Sequence, residues 1–218
     1  MCYHHFTLTI PTAFDFDLYP VITEKFCRNG SALDTLTQLI AAGIKLVQLR
    51  EKDCSKRALY TRALEFRRLT RAAGILLIMN DHLDIALAVG ADGVHLGQDD
   101  LPCRAARALA PELIIGVSTH NVQEALTAEQ DGASYINIGP IFSTGTKTLT
   151  MPPLGTAMIR TIADRVQIPF TVMGGIHESN LPEVLTAGAR CIAMVTELTQ
   201  AEDIGKKVNA IREIMGDS

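Results

Sequence analysis

Two acidic positions in the middle of the chain have the chemistry of a metal site. Asp81 directly follows Ile78-Met79-Asn80, the end of a predicted strand, and the Asp99-Asp100 pair follows Gly93–Leu96. If both segments are neighbouring parallel strands, these carboxylates share one edge of the sheet. Carboxylate oxygens suit a hard divalent cation such as Mg²⁺, usually with a phosphate nearby. Asp81 also precedes a predicted helix, so a helix-capping role remains an alternative.

A group of polar and basic residues lies at the end of the second predicted strand. Gln48, Arg50 and Lys52 alternate along the chain, which places their side chains on one side of the strand end. A guanidinium beside an ammonium group suits a polyphosphate. From these residues alone, an ordinary solvated strand end stays an equal alternative.

Three further segments have the residue types of an anion site. The loop 140–153 is longer than most connections and contains STGTK at 143–147. Hydroxyls, a glycine and a lysine can surround a phosphate, although the P-loop spacing is missing. Gly174-Gly175 and Val195-Thr196 follow the last two predicted strands, where backbone N–H groups often bind phosphate. A tight strand-to-helix turn is the alternative for the glycine pair.

Nucleophilic catalysis finds no support in the sequence. Ser118 ends a predicted strand, but nothing marks His120 in the following loop as its base. His95 has the parity of an inward-facing residue, and we interpret it as a buried histidine with satisfied polar groups.

Strictly alternating strands and helices must position these candidates. The predicted strands are residues 18–23, 45–50, 75–80, 93–96, 113–118, 135–139, 170–173 and 192–196. The predicted helices are residues 31–42, 55–73, 82–89, 102–110, 121–130, 155–165, 179–187 and 203–215. This order predicts an α/β fold, a single (β/α)8 TIM barrel, with an open doubly wound sheet as the competing architecture. No linker divides residues 17–218, and residues 1–16 are interpreted as an N-terminal extension.

Strand parity predicts which side chains face the barrel interior. Val47 and Leu49 share the apolar parity of the second strand, whereas Gln48 and Arg50 share the other. The fifth and sixth strands show the same division. The polar set should therefore face inward and end at the C-terminal mouth, where active sites of barrels lie.

Composition narrows the classes of function. A net charge of −4 without a basic run gives no indication of nucleic-acid binding. No apolar stretch approaches the roughly 20 residues of a membrane span. The five cysteines are scattered without a CxxC motif, as expected for free thiols in a reducing compartment. We therefore expect a cytoplasmic protein that binds neither nucleic acid nor membranes.

Taken together, the motifs resemble those of the thiamine-phosphate synthase (thiamine-phosphate pyrophosphorylase) family. The resemblance rests on VQLREKD, NDHLDIALAVGADGVHLGQDDLP, GVSTHN, IGPIFSTGTK, PPLG and GGI, in the family's order. It implies a barrel transferase that joins 4-amino-5-hydroxymethyl-2-methylpyrimidine diphosphate to 4-methyl-5-(2-phosphoethyl)thiazole, or to its carboxylated form. The products would be thiamine phosphate and diphosphate, with CO2 as a further product from the carboxylated form, and the mechanism would be dissociative. The resemblance leaves a homo-oligomer open.

The resemblance also implies roles for individual residues. Asp81 and Asp100 would bind Mg²⁺, the expected cofactor. The pyrimidine diphosphate would be held by Gln48, Leu49, Arg50, Glu51, Lys52, Asn80, Ser118 and Lys147. The thiazole phosphate would be held by Thr144, Gly145, Thr146, Gly175, Val195 and Thr196. The catalytic residues would be Arg50, Lys52, Ser118 and Lys147.

Some residues depart from the family pattern. Thr196 stands where the family often has serine, and residues 148–151 differ from the usual charged stretch.

Two rival functions remain. A thiazole tautomerase is a related barrel, but that family lacks the second acidic site. A non-catalytic barrel that binds thiamine phosphate would have no need for Asp81, Arg50 or Lys147, all of which are present.

Overall fold

Eight parallel strands close into a barrel with helices around it. The computed structural model describes residues 16–146 and 152–216. Each strand pairs with the next in the chain, and the eighth pairs with the first, so that Leu18 lies opposite Ile192. The predicted (β/α)8 barrel is confirmed, and the doubly wound alternative is wrong because its sheet would have two open edges.

The strands are short and the helices vary in length. The strands are β1 Leu18–Ile22, β2 Leu46–Leu49, β3 Leu76–Asn80, β4 Gly93–Leu96, β5 Ile114–Thr119, β6 Tyr135–Ile138, β7 Phe170–Val172 and β8 Ile192–Met194. The helices are α1 Ala32–Ala41, α2 Lys56–Ala73, α3 Leu83–Val89, α4 Cys103–Leu109, α5 Val122–Gln130, α6 Ala157–Ala163, α7 Leu181–Thr186, α8 Thr196–Thr199 and α9 Ile204–Gly216. None of the helices in the described ranges is long and apolar enough to cross a membrane.

Strand parity divides the apolar residues into two cores. Val47 and Leu49 pack in the larger core between the sheet and the helices, as predicted. A smaller core fills the barrel interior toward the N-terminal ends of the strands, and its buried members are Tyr19, Leu46, Ile78, Ile114, Tyr135, Cys191 and Ala193. This inner core forms a floor, above which polar side chains line the C-terminal end.

Two local predictions are corrected by the structure. The eighth strand ends at Met194 rather than at Thr196, because Val195 leaves the extended conformation (φ −108°, ψ −94°) and α8 begins. Buried Leu198 and Thr199 hold this short helix, and the Thr199 hydroxyl donates to the Phe26 carbonyl oxygen at 2.7 Å. Asp81 does not cap α3, since the N-cap is His82 and no side chain makes the capping bond.

The predicted N-terminal extension is largely outside the described residues. Of residues 1–16, the structure describes only Phe16, which packs against the inner core. The interpretation of this segment therefore stays a prediction.

Candidate active site

An open cleft lies at the C-terminal mouth of the barrel. Side chains and loops from all eight strands contribute to its wall, which explains why residues far apart in the chain meet there. The lining residues predicted from the sequence are Gln48, Arg50, Lys52, Asn80, Asp81, Asp100, Ser118, Thr144, Thr146 and Val195. The geometry thus brings together most of the residues to which the sequence assigned chemistry.

The two predicted metal ligands face the same side of this cleft. Asp81 follows β3, and its backbone N–H donates to the His95 carbonyl oxygen at 2.8 Å. Its carboxylate lies 3.0 Å from the Lys52 ammonium group. Asp100 accepts a hydrogen bond from the Gly97 backbone N–H at 2.7 Å, which orients its side chain toward the cleft.

The two carboxylates are close enough to affect each other. Burial raises the pKa of Asp100, and the neighbouring Asp81 carboxylate raises it further. A divalent cation between them would remove this repulsion, so the pair fits an Mg²⁺ site. Among the described residues, no group of three or more His, Cys, Asp or Glu side chains is arranged to hold a metal. Two carboxylates with substrate oxygens are nevertheless a common way to bind Mg²⁺.

The segment 48–52 alternates between the cleft and the protein interior. Gln48, Arg50 and Lys52 line the cleft, as the spacing predicted. Leu49 is fully buried in the outer core, so its side chain does not reach the cleft. Glu51 also points away, and its carboxylate accepts hydrogen bonds from Arg62 and from the Glu24 backbone N–H, each at 2.8 Å. Glu51 therefore anchors the loop that carries Arg50 and Lys52.

Ser118 has a histidine partner that the sequence did not reveal. Its hydroxyl lies 2.9 Å from Nε2 of His95, and Nδ1 of His95 lies 3.0 Å from the Tyr135 hydroxyl. His95 is buried with both ring nitrogens hydrogen-bonded, as predicted, but it also lines the cleft. Burial lowers the pKa of His95 to about 4, only partly offset by the Asp100 charge, so the ring is neutral at neutral pH.

A second cleft adjoins the first between the loops after β6, β7 and β8. The three predicted anion-binding segments meet here, and the lining includes Ser143, Thr144, Gly145, Thr146, Gly174, Gly175, Val195 and Thr196. The Thr144 and Thr146 hydroxyls lie 3.0 Å apart. Gly175 has φ +62°, and a Cβ there would lie 2.3 Å from the Ser143 carbonyl oxygen. Only glycine allows this close approach of the two loops.

A charged cluster ties the second cleft together. Glu197 on α8 accepts hydrogen bonds from His177 at 2.7 Å and from Lys207 on α9 at 3.1 Å. Lys207 also contacts Glu178 at 2.7 Å. Burial would raise the pKa of Glu197, but the bonds from His177 and Lys207 outweigh it and lower the pKa overall. The cluster therefore holds α8 against the loop after β7.

One predicted residue cannot be placed, and the cleft also contains residues that were not among the candidates. Lys147 lies outside the described residues, so its role stays a prediction. Asn137 on β6 lines the cleft although it was not among the candidates. The Thr171 hydroxyl donates to Asn137 Oδ1 at 2.7 Å, which leaves the amide N–H groups for the cleft. Its inward parity was the signal that could have identified it.

The fold is a closed parallel barrel, and its mouth has paired carboxylates, basic side chains and a glycine-rich anion site. This arrangement is typical of enzymes that act on phosphorylated small molecules. Residues 18–198 match the family model described as thiamine monophosphate synthase. The chain therefore belongs to the thiamine monophosphate synthase family, as the motifs indicated.

Relatives along nearly the whole chain agree with this assignment. The thiamine-phosphate synthase of Pelotomaculum thermopropionicum is 45% identical over 200 residues, covering 91% of this chain and 92% of its own. That of Caldicellulosiruptor bescii is 44% identical over 201 residues, with 92% of each chain covered. The solved thiamine phosphate pyrophosphorylase from Pyrococcus furiosus superimposes with a TM-score of 0.83 at 33% identity, covering 93% and 96% of the two chains. A 3-hexulose-6-phosphate synthase structure (TM-score 0.64, 16% identity) shares the fold alone.

Proposed function

We propose that this chain catalyses the condensation of 4-amino-2-methyl-5-(diphosphooxymethyl)pyrimidine with 4-methyl-5-(2-phosphoethyl)thiazole, or its carboxylated form, to thiamine phosphate and diphosphate, with release of CO2 from the carboxylated form. One observation carries the proposal. The cleft with Asp81, Asp100, Arg50 and Lys52 adjoins a second cleft built from glycines and hydroxyls. Two adjacent anion sites suit two phosphorylated substrates whose carbon and nitrogen atoms must meet.

The expected metal fits the first cleft. Asp81 and Asp100 would hold Mg²⁺ together with oxygens of the diphosphate. When bound, the ion would supply positive charge that makes diphosphate a better leaving group.

The chain's own groups would stabilise the departing anion and position the reactants. Arg50 and Lys52 line the same cleft as the two carboxylates and would neutralise diphosphate oxygens. In a dissociative reaction the C–O bond breaks first, and diphosphate leaves with the electron pair. The thiazole nitrogen then forms the new bond to the pyrimidine methylene carbon. On the sequence resemblance, Lys147 would add a further positive charge.

Within the described part of the chain, Ser118 and His95 do not form an arrangement for covalent catalysis. Ser118 contacts His95, but the second ring nitrogen of His95 bonds to Tyr135 rather than to a carboxylate. The hydrolase arrangement, in which an acid orients the histidine, is therefore not formed by these residues. A reaction driven by positioning and electrostatics agrees with this geometry.

The test is a direct assay of the purified chain. With both substrates and Mg²⁺ we expect thiamine phosphate, detected by chromatography and mass spectrometry, and an EDTA-treated sample should lose the activity until Mg²⁺ is restored. Absence of product with and without EDTA would refute the transferase. Isomerisation of the carboxylated thiazole without condensation would instead identify the rival tautomerase.

A further inference from the structure

A chain of hydrogen bonds crosses the barrel interior below the first cleft and joins two of its lining residues. Gln48 Nε2 donates to the Tyr19 hydroxyl at 2.8 Å, and the hydroxyls of Tyr19 and Tyr135 lie 2.8 Å apart. The Tyr135 hydroxyl lies 3.0 Å from His95 Nδ1, and His95 Nε2 lies 2.9 Å from Ser118 Oγ. The chain thus connects Gln48 with Ser118 through three residues to which the proposed reaction assigns no role.

The packing of the barrel is built around this chain. Tyr19 and Tyr135 are fully buried, and their rings meet edge to face with centroids 6.1 Å apart. At Gly116, a Cβ would lie 2.1 Å from the Tyr135 ring and 2.5 Å from His95 Nδ1. A larger residue at position 116 would therefore displace the Tyr135–His95 contact.

With Gln48 Nε2 as the donor, the remaining protons of the chain can be assigned in one direction. An amide nitrogen only donates, so the Tyr19 oxygen accepts from Gln48 and its single proton is donated to Tyr135. The Tyr135 proton is in turn donated to His95 Nδ1. A neutral imidazole that accepts at Nδ1 carries its proton on Nε2 and donates it to Ser118 Oγ. The proton of the Ser118 hydroxyl is then directed into the cleft.

We propose that this chain makes Ser118 a fixed hydrogen-bond donor to an anionic oxygen in the cleft, with Tyr19, Tyr135 and His95 as positioning residues. Identifying that oxygen as part of the diphosphate rests on the proposed function. The direction of the chain has a second consequence. His95 cannot accept the proton of Ser118, because Nε2 already carries one, so Ser118 binds the substrate anion and does not attack it.

The position of the proton on His95 tests the direction without any substrate. Long-range ¹H–¹⁵N spectra of the ¹⁵N-histidine-labelled chain at neutral pH distinguish the two ring tautomers, and His95→Gln identifies the signal. We expect a ring protonated on Nε2 with an unprotonated Nδ1. A ring protonated on Nδ1, or one that averages between the two forms, would overturn the proposal whether or not the chain makes thiamine phosphate.

A double-mutant cycle tests the link to Ser118. Tyr135→Phe should lower kcat/KM about fivefold, the effect of one misdirected hydrogen bond. In a Ser118→Ala background the same substitution should have no further effect, whereas two independent losses would contradict the proposal. Tyr60→Phe removes a hydroxyl from an exposed position on α2 and should leave kcat/KM unchanged. If Tyr135→Phe fails to fold, the tautomer of the His95 ring in the wild-type protein still tests the proposal.

Discussion

Asp81 has a backbone conformation that few residues adopt. With φ +62°, it is the one non-glycine residue with a positive φ in the described ranges 16–146 and 152–216. Asp and Asn tolerate this left-handed region better than other side chains do. The unusual backbone places the carboxylate beside Lys52 and Asp100 rather than over the start of α3. Position 81 therefore has both a conformational requirement and a chemical one.

Two substitutions at position 81 separate these requirements. Asp81→Asn keeps the left-handed backbone but removes the charge, so we expect a large loss of turnover with little change in the free energy of unfolding. Asp81→Ala should lose turnover and also about 1 kcal/mol of stability, because alanine is strained in this region. Urea denaturation and steady-state kinetics measure the two effects. Near-normal turnover of Asp81→Asn at saturating Mg²⁺ would show that the cation lies elsewhere.

Strand parity was a good guide to individual residues, and its limits are physical. It predicted that Gln48 and Arg50 face inward, and it set Leu49 apart, whose side chain lies in the outer core. Strand parity did not predict the contact between His95 and Ser118, because that contact depends on the register between β4 and β5. Parity along one strand contains no information about distances between strands.

At the level of elements, the short helix α8 was missed for a related reason. Four residues, Thr196–Thr199, are too few to show helical periodicity. What holds the helix is tertiary: the Glu197 carboxylate bonds to His177 after β7 and to Lys207 on α9. The orientation of the second cleft therefore depends on a contact between three elements.

Glu197→Gln tests whether this cluster supports the second cleft. The neutral amide weakens the bonds to His177 and Lys207, so the loop after β7 should lose its fixed position against α8. We expect KM for the thiazole phosphate to rise about fivefold, the effect of one weakened charged hydrogen bond, with a smaller change in kcat. Glu178→Gln is the matched control, since Glu178 contacts Lys207 from outside this cleft. Equal effects of both substitutions would assign the cluster a general structural role.

Gly175 tests the loop packing in the same cleft. Alanine there would combine a positive φ with a Cβ 2.3 Å from the Ser143 carbonyl oxygen and 2.8 Å from the Phe142 Cβ. The loops after β6 and β7 must then separate, at a cost of about 1–3 kcal/mol. We expect Gly175→Ala to reduce thiazole-phosphate binding strongly in calorimetry. Gly30→Ala is the matched control and should bind normally, because Gly30 has the same φ of +62° but a Cβ there meets nothing within 4 Å.

At the scale of the molecule, the strand–helix order predicted the barrel because eight alternating units bury their apolar faces only when the helices surround a parallel sheet. The closure of the barrel also involves contacts that the order of strands and helices does not predict. Asp17, before β1, accepts a hydrogen bond from Arg212 on α9 at 2.5 Å, and its carbonyl oxygen accepts from the Ile192 N–H of β8. Arg212 also donates to the carbonyl oxygens of Ala42 and Gly43. One arginine thus joins the first strand, the first helix and the last helix.

This closing contact predicts a specific dependence of stability on pH. Burial would raise the pKa of Asp17, but the bonds from Arg212 and from the Leu18 N–H outweigh it, and the pKa falls below its usual value of 3.8. A carboxyl group whose pKa is lowered by folding stabilises the protein above its unfolded pKa, and this stabilisation is lost as the pH falls through the folded pKa.

Asp17→Asn should therefore lower the free energy of unfolding by about 1 kcal/mol at neutral pH, since the pair is partly exposed and screened by solvent. The difference from wild type should stay constant down to about pH 5 and shrink below about pH 4, as the wild-type carboxylate becomes protonated. Urea denaturation at a series of pH values measures it. Glu65→Gln, which removes an exposed pair with Arg68 on α2, is the control and should change stability little at any pH. A difference at Asp17 that persists unchanged in strong acid would show that the Arg212 contact does not depend on the charge of the carboxylate.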